Sequence, residues 1–197
     1  MRSRAMRPRT AAAIATLAVA VPLMAGCASA SSAERPPSTV HRDGVTFTGP
    51  WADLFASTYA DATSKAERDA LRDGVISDKE YASFQASIES CLAAHNVSAT
   101  FDGNMGIDYT NPDRVSQEVI NKCLADNGIR VLSLRDSMIR NPNNLDEGEI
   151  MAACLKRAGV VGPGFTAKDY DDPDVVAKYV NDKRFDECNA DPLHFKR

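Results

Sequence analysis

Five cysteines and three histidines are the residues of this chain with the most chemistry to offer. A thiol can be acylated, oxidised to a disulfide or metallated, and its compartment and neighbours decide which. Cys91, Cys123, Cys154 and Cys188 follow one another at spacings of 32, 31 and 34 residues. No Cys-x-x-Cys pair occurs, so two disulfides are expected and no metal site. His41, His95 and His194 stand far apart in the chain, and no nucleophile elbow, His-Glu-x-x-His helix, phosphate loop or dinucleotide glycine motif accompanies them. No catalytic residue and no cofactor is therefore assigned. One alternative is kept: His95 together with Asp169, Asp171, Asp172 and Asp174, which surround Tyr170, as the site of an envelope hydrolase or metal-dependent enzyme. The plainer reading of those acids is capping, because Asp172-Pro173 suits an N-cap followed by proline in the first turn.

Residues 69–80 have part of the order of a twelve-residue calcium loop. Asp69 is first, Asp73 fifth, Gly74 sixth, Ile76 eighth, Ser77 ninth and Glu80 twelfth, which resembles the EF-hand pattern. Leu71 stands third, where a ligand oxygen is needed. A helix, a turn and a capped helix explain the same residues. A calcium-stabilised structural protein using Asp69, Asp73 and Glu80 is the second alternative.

The fifth cysteine has a different setting. Arg2, Arg4, Arg7 and Arg9 precede an apolar run over residues 11–24, too short to cross about 30 Å of hydrocarbon comfortably. The run ends in Leu23-Met24-Ala25-Gly26-Cys27, which resembles the lipobox of bacterial lipoproteins. Met24 departs from the Leu, Val or Ile that the family prefers there. The resemblance implies a signal over residues 1–26, cleavage before Cys27, a diacylglycerol on its thiol, and attachment to the extracytoplasmic face of the cell membrane. Acyl chains worth about 0.8 kcal/mol per buried CH₂, two or three together, make a durable anchor. Loss of the four arginines leaves 19 basic residues against 27 acidic ones, a net charge of −8 where the whole chain has −4. An acidic surface is repelled by phosphates, so nucleic acid is not an expected partner.

The elements that must position these groups are mostly helical. Residues 27–44, rich in Ser, Ala, Pro and charge, are expected to be a flexible tether, with one folded domain over 45–197. Gly49-Pro50 opens a helix in which Trp51, Leu54, Phe55, Thr58, Ala62 and Ala66 recur at helical spacing, running to about Gly74. Ser77-Asp78-Lys79-Glu80 is a capping box for a second helix with Tyr81, Phe84, Ile88, Cys91, Leu92 and His95 on one stripe, and Asn96 as its left-handed exit. Residues 97–101 and 107–109 flank Asp102-Gly103-Asn104-Met105-Gly106 as a short hairpin. Ile129-Arg130-Val131-Leu132 is expected to be a strand after Gly128.

The chain repeats itself. Cys91-Leu92 with Asn96-Val97 answers Cys154-Leu155 with Gly159-Val160; residues 108–113 answer 169–174; Cys123-Leu124-Ala125-Asp126 answers Cys188-Asn189-Ala190-Asp191. Two copies, about 84–128 and 147–192, are read as helix, loop or hairpin, and helix. In them Asn111-Pro112 matches Asp172-Pro173 as a helix start. The fold class expected is mainly α, or α+β, stapled by disulfides. Four cysteines allow three pairings. Pairing within each copy, Cys91–Cys123 and Cys154–Cys188, is the simplest outcome of a duplication.

The Cys-Leu helices with Gly-Val exits, and the corner Asp73-Gly74-Val75-Ile76-Ser77-Asp78-Lys79-Glu80-Tyr81, resemble small exported lipoproteins of high-GC Gram-positive bacteria over about residues 51–192. The group has no shared activity, so the resemblance implies compartment and architecture only. The expected role is a lipid-anchored, non-enzymatic binding or accessory module of the envelope, with an unidentified envelope protein or ligand as partner. Phe101, Met105, Tyr109, Phe165 and Tyr170 are the candidate contact residues, because they sit on the segments between helices. The anchor has a direct check. Cys27→Ala should abolish incorporation of labelled palmitate and move the protein out of the membrane fraction; unchanged labelling would rule Cys27 out as the acylated residue.

Overall fold

A computed structural model describes residues 38–101 and 106–196. Among them the chain is helix-rich, with two separate two-stranded hairpins. The first strand and the turn of the first hairpin lie inside the stretch expected to be tether. β1 (Ser38–Arg42) pairs antiparallel with β2 (Val45–Gly49), Arg42 opposite Val45 and Ser38 opposite Gly49. The two-residue turn is Asp43-Gly44, both at positive φ (47° and 79°). Asp-Gly between alternating residues is a strong short-range hairpin signal. The order is also held by burial. Phe47 on β2 is fully buried against α1 (Ala52–Ala60), its ring centroid 6.0 Å from Phe55 and 5.7 Å from Tyr59.

The long first helix expected from the sequence is two helices. α1 ends at Ala60, and α2 spans Lys65–Leu71. The break is made by a second capping box, Ser64-Lys65-Ala66-Glu67. The buried Glu67 carboxylate accepts from the backbone N–H groups and hydroxyls of both Thr63 and Ser64, at 2.9–3.1 Å. Such a box satisfies donors that a continuing helix would have used, and so ends one helix and starts another. The buried stripe of α1 is also rotated from expectation. Ala52, Phe55, Ala56 and Tyr59 face inward, and Leu54 is 42% exposed.

α3 (Asp78–Ala93) begins after the expected capping box at Ser77 and buries Phe84, Ile88 and Leu92. Asn96 exits at φ 57°, and the Val97 N–H donates back to the Leu92 carbonyl at 3.0 Å. That is the six-to-one bond of a Schellman exit. The expected second hairpin is present: β3 (Ser98–Phe101) pairs with β4 (Ile107–Thr110). α4 (Gln117–Asp126) does not begin at Asn111-Pro112. The Asn111 side chain brackets Val115 instead, accepting from its N–H and donating to its carbonyl, while Arg114 takes φ 54° and Ser116 becomes the N-cap. Asn141-Pro142 repeats this turn. Asn141 brackets Leu145, Asn144 has φ 48°, and Asp146 caps α6 (Glu147–Ala158). The structural counterpart of Asn111-Pro112 is thus Asn141-Pro142 and not Asp172-Pro173.

Residues 129–132 are helical, against the expectation of a strand. α5 (Ile129–Arg140) starts directly on Gly128, whose φ of 89° ends α4 and caps α5 in one residue. The β-branched look of Ile129 and Val131 is overridden by inward spacing at Val131, Leu132, Leu134 and Asp136. α5 locks to α3 through Tyr81, whose hydroxyl donates to the buried Asp136 at 3.1 Å and whose ring carries the Arg135 guanidinium 4.4 Å from its centroid. Arg135 also pairs with Asp78.

The last part is α6, α7 (Ala167–Tyr170), α8 (Pro173–Val176) and α9 (Lys183–Ala190). Asp172 caps α8 as expected, but the helix does not continue to Cys188, because Asp182 caps a new one. No hairpin lies between α6 and α9. Two buried apolar clusters result. One joins the first hairpin to α1–α5; the other gathers Met151, Leu155, Ala158 and Phe165 around Cys154 and Cys188. Polar groups stitch them. Trp51 Nε1 donates to the Asn141 carbonyl at 3.1 Å, and Asn144 donates to that of Pro50 at 2.7 Å. Arg140 clasps Glu147 through two nitrogens and reaches the Asn189 carbonyl.

Gly128 is the tightest point. A Cβ there would lie 2.8 Å from Phe84 Cε1, on a backbone conformation that L-residues avoid. Gly128→Ala should therefore destabilise the fold by about 2–4 kcal/mol, overpacking and left-handed strain together. Urea unfolding measures it, and a change below about 0.5 kcal/mol would contradict the assignment.

Candidate functional site

The cysteines come first. Cys91 on α3 and Cys123 on α4 are bonded, with Cα atoms 5.6 Å apart; Cys154 on α6 and Cys188 on α9 are bonded at 5.7 Å. Each bridge joins the first and last helix of its segment. Three of the four cysteines share one local sequence pattern and one kind of helix exit. Cys91-Leu92, Cys123-Leu124 and Cys154-Leu155 each have a left-handed residue five positions after the cysteine: Asn96, Gly128 and Gly159. An apolar residue comes next each time: Val97, Ile129 and Val160. Cys123 therefore belongs with Cys91 and Cys154 in this pattern, whereas Cys188 has no such exit.

The acidic run is a set of caps. Asp169 completes a capping box with Thr166, whose hydroxyl and backbone N–H donate to it and hold its carboxyl below the usual range. Asp172 accepts from the Asp174 and Val175 N–H groups, and Asp174 lies in the first turn of α8. His95 is exposed in the turn after α3, in sequence between Leu92 and Val97 of the other apolar cluster, and no described hydrogen bond or ion pair joins it to these acids. At the calcium-like corner, Asp69 pairs with Lys65, which holds its carboxyl low. Asp73 accepts from the Val75 N–H, and Glu80 is occupied by Ser77. Among the described residues no three His, Cys, Asp or Glu side chains gather as metal ligands would.

The candidate contact residues divide. Phe165 is buried, edge-on to Tyr179 at 5.9 Å. Tyr170 is half-buried on the same cluster, and burial raises its phenol. Phe101 packs partly against the larger cluster. Tyr109 on β4 is exposed. Met105 and Cys27 lie outside the described residues.

A concave site lies elsewhere, between α1 and α5. A groove of about 340 Å³ has Leu54 and Ile129 as apolar wall, the buried Leu134 beneath them, and Asp61 and Arg130 at its rim. It shares Leu54 and Ser57 with a second hollow of about 280 Å³ that reaches Trp51 and Asn144. Two of the hydroxyls here are turned back on their own helices: Ser57 donates to the Leu54 carbonyl and Ser137 to that of Ser133. Arg130 spends one donor on the Asp61 carbonyl at 3.1 Å. No histidine or cysteine lines the groove; its titratable side chains are Asp61 and Arg130. The sequence pattern hides this site, because it turns Leu54 inward and makes 129–132 a strand. Leu54 out of phase with Ala52, Phe55 and Tyr59 is the signal that could have found it.

In comparisons with family models, curated proteins and solved structures, nothing matches this chain. No helix among the described residues is long and apolar enough to cross a membrane.

One electrostatic feature holds α9 in place. Asp182 is depressed from 3.8 to about 2 by hydrogen bonds from the Arg184 side chain and backbone. Arg184 also donates to the carbonyls of Ala158 and Gly159 at the end of α6. A depressed carboxyl stabilises the fold above 3.8 and loses that contribution as pH falls towards 2. Asp182→Asn should flatten the acid limb of stability over that window, as read by urea unfolding at successive pH values. An unchanged limb would mean the pair contributes nothing.

Proposed function

We propose that this protein is a lipid-anchored, extracytoplasmic, non-enzymatic binding module, and that its ligand lies in the groove between α1 and α5. The observation that carries the binding role is the groove itself: an apolar wall open to solvent, with Arg130 and Asp61 as its charged rim. Pockets that hold small ligands combine such a wall with a few polar groups for orientation. The ligand class is amphipathic: an apolar body against Leu54 and Ile129, and a head that accepts from the Arg130 guanidinium.

The anchor rests on the lipobox-like sequence at Cys27. Two closed disulfides support an oxidising compartment. The enzyme reading, with His95 and the acids of residues 169–174, finds no support in their placement, since those acids serve helix starts. The same proposal takes the two disulfide-tied segments as copies of one ancestral unit. Its support is the shared exit after Cys91-Leu92 and Cys154-Leu155, at Asn96 and Gly159, and the matching helix-to-helix bridge in each segment. The second copy then replaced its hairpin with the short helices α7 and α8.

Leu54→Glu tests the groove, because Leu54 is exposed and its loss leaves the core intact. With a fluorescent fatty acid as probe, affinity should fall about tenfold or more, the equivalent of one leucine contact. Val75→Glu, at a still more exposed site away from the groove, should leave it unchanged. Equal affinity in all three proteins would overturn the assignment.

A further inference from the structure

The two disulfides differ in their access to solvent. Cys154 and Cys188 are both 0% exposed, sealed between α6 and α9 by Met151, Leu155 and Phe165. Cys91 is only partly buried, while its partner Cys123 is 2% exposed. Cys91 also forms part of a wide, shallow hollow of about 520 Å³ on the outer face of α3, with Ser83, Ala86, Ser87, Ser90 and Asn127. No charged side chain lines this hollow, and the largest side chain in it is an asparagine. The side chains of α3 at this face are short enough to let another backbone come close to the sulfur. In thiol–disulfide exchange, the sulfur that can be reached is the sulfur that is attacked.

We propose that Cys91–Cys123 is an exchangeable bond addressed by a dithiol protein that docks its reactive cysteine in the α3 hollow, and that Cys154–Cys188 is a permanent staple. A thiolate of the dithiol attacks Cys91 Sγ in line with the bond. The Sγ–Sγ bond breaks, a mixed disulfide forms at Cys91, and the Cys123 sulfur leaves with the electron pair and takes a proton. The second thiol of the partner then attacks the mixed disulfide. It releases Cys91 as a thiol and leaves the partner oxidised, with two electrons and two protons transferred in all. The reverse reaction installs the bond. Its structural effect is local: α4 is freed from α3 just ahead of Gly128, on which α5 and so one wall of the groove begins.

The experiment tracks each bond in the oxidised full chain under native conditions. Reduction by thioredoxin is quenched at intervals with N-ethylmaleimide, and the labelled peptides are mapped. Cys91 and Cys123 should be labelled about tenfold or more faster than Cys154 and Cys188; equal rates, or the reverse order, would overturn the proposal. Reaction with glutathione, quenched in acid, should place the mixed disulfide on Cys91; its appearance on Cys123 would overturn the choice of sulfur. Ser87→Phe, an exposed position on α3, should slow thioredoxin several-fold and leave a small phosphine reductant unaffected. If both reductants act on it at the original rate, the hollow is not the docking surface.

Discussion

The segment after Cys154 is organised around one covalent constraint. The apolar cluster there is small, and its helices α7 and α8 have four residues each. Helices of that length do not persist on their own, and a core of this size supplies little to hold them. The Cys154–Cys188 bridge removes freedom from the unfolded chain, by roughly 3–4 kcal/mol in the entropy model for a loop of that length. It also fixes α9 against α6. With those two helices set, the intervening segment needs only caps, and caps are what its aspartates provide. An acidic run that looks chemically suggestive on paper is the local bonding of a segment too short to be held by packing.

The groove, in contrast, lies where packing is strongest. α1 and α5 are positioned by the larger cluster, by the first hairpin behind α1, and by the Tyr81–Asp136 bond behind α5. Its walls are therefore preformed, and ligand entry would not have to order them. The hydroxyls of Ser57 and Ser137, turned back on their own helices, leave a surface less polar than its residue types suggest. That combination suits recognition by shape and apolar contact.

Much of this is legible in the residues, and the failures have physical causes. The Ser77 box, the Asn96 exit and the second hairpin are local signals, and each is readable because capping and turn chemistry act within a few residues. The disulfide pairing is readable only through the apparent repeat, whose register the structure shifts: Asn111-Pro112 aligns with Asn141-Pro142, and Cys123 with the other Cys-Leu helices. The Ser64 box and the Asp43-Gly44 turn are equally local. Helical periodicity carried across Thr63 and Ser64 masks the first, and a Ser- and Pro-rich approach masks the second. α5 is lost for another reason. Ile129 and Val131 favour strands in isolation, and only burial of Leu132, Leu134 and Asp136 against α3 decides for a helix. The groove inherits that loss, since one of its walls is α5.

The stitching between elements has a direction. Trp51, Arg130, Arg140, Asn144, Arg157 and Arg184 each donate from a side chain, and every one of them reaches a main-chain carbonyl far away in sequence. A carbonyl is present whatever residue carries it. Drift at Pro50, Asp61, Ala158, Asn189 or Pro192 therefore leaves the bond in place as long as the backbone path survives, whereas drift at a donor removes it outright. Half of each contact is thus invisible to substitution. As far as these bonds are concerned, related chains would preserve a sparse set of arginines, one tryptophan and one asparagine, while the residue types at the accepting carbonyls answer only to their own packing.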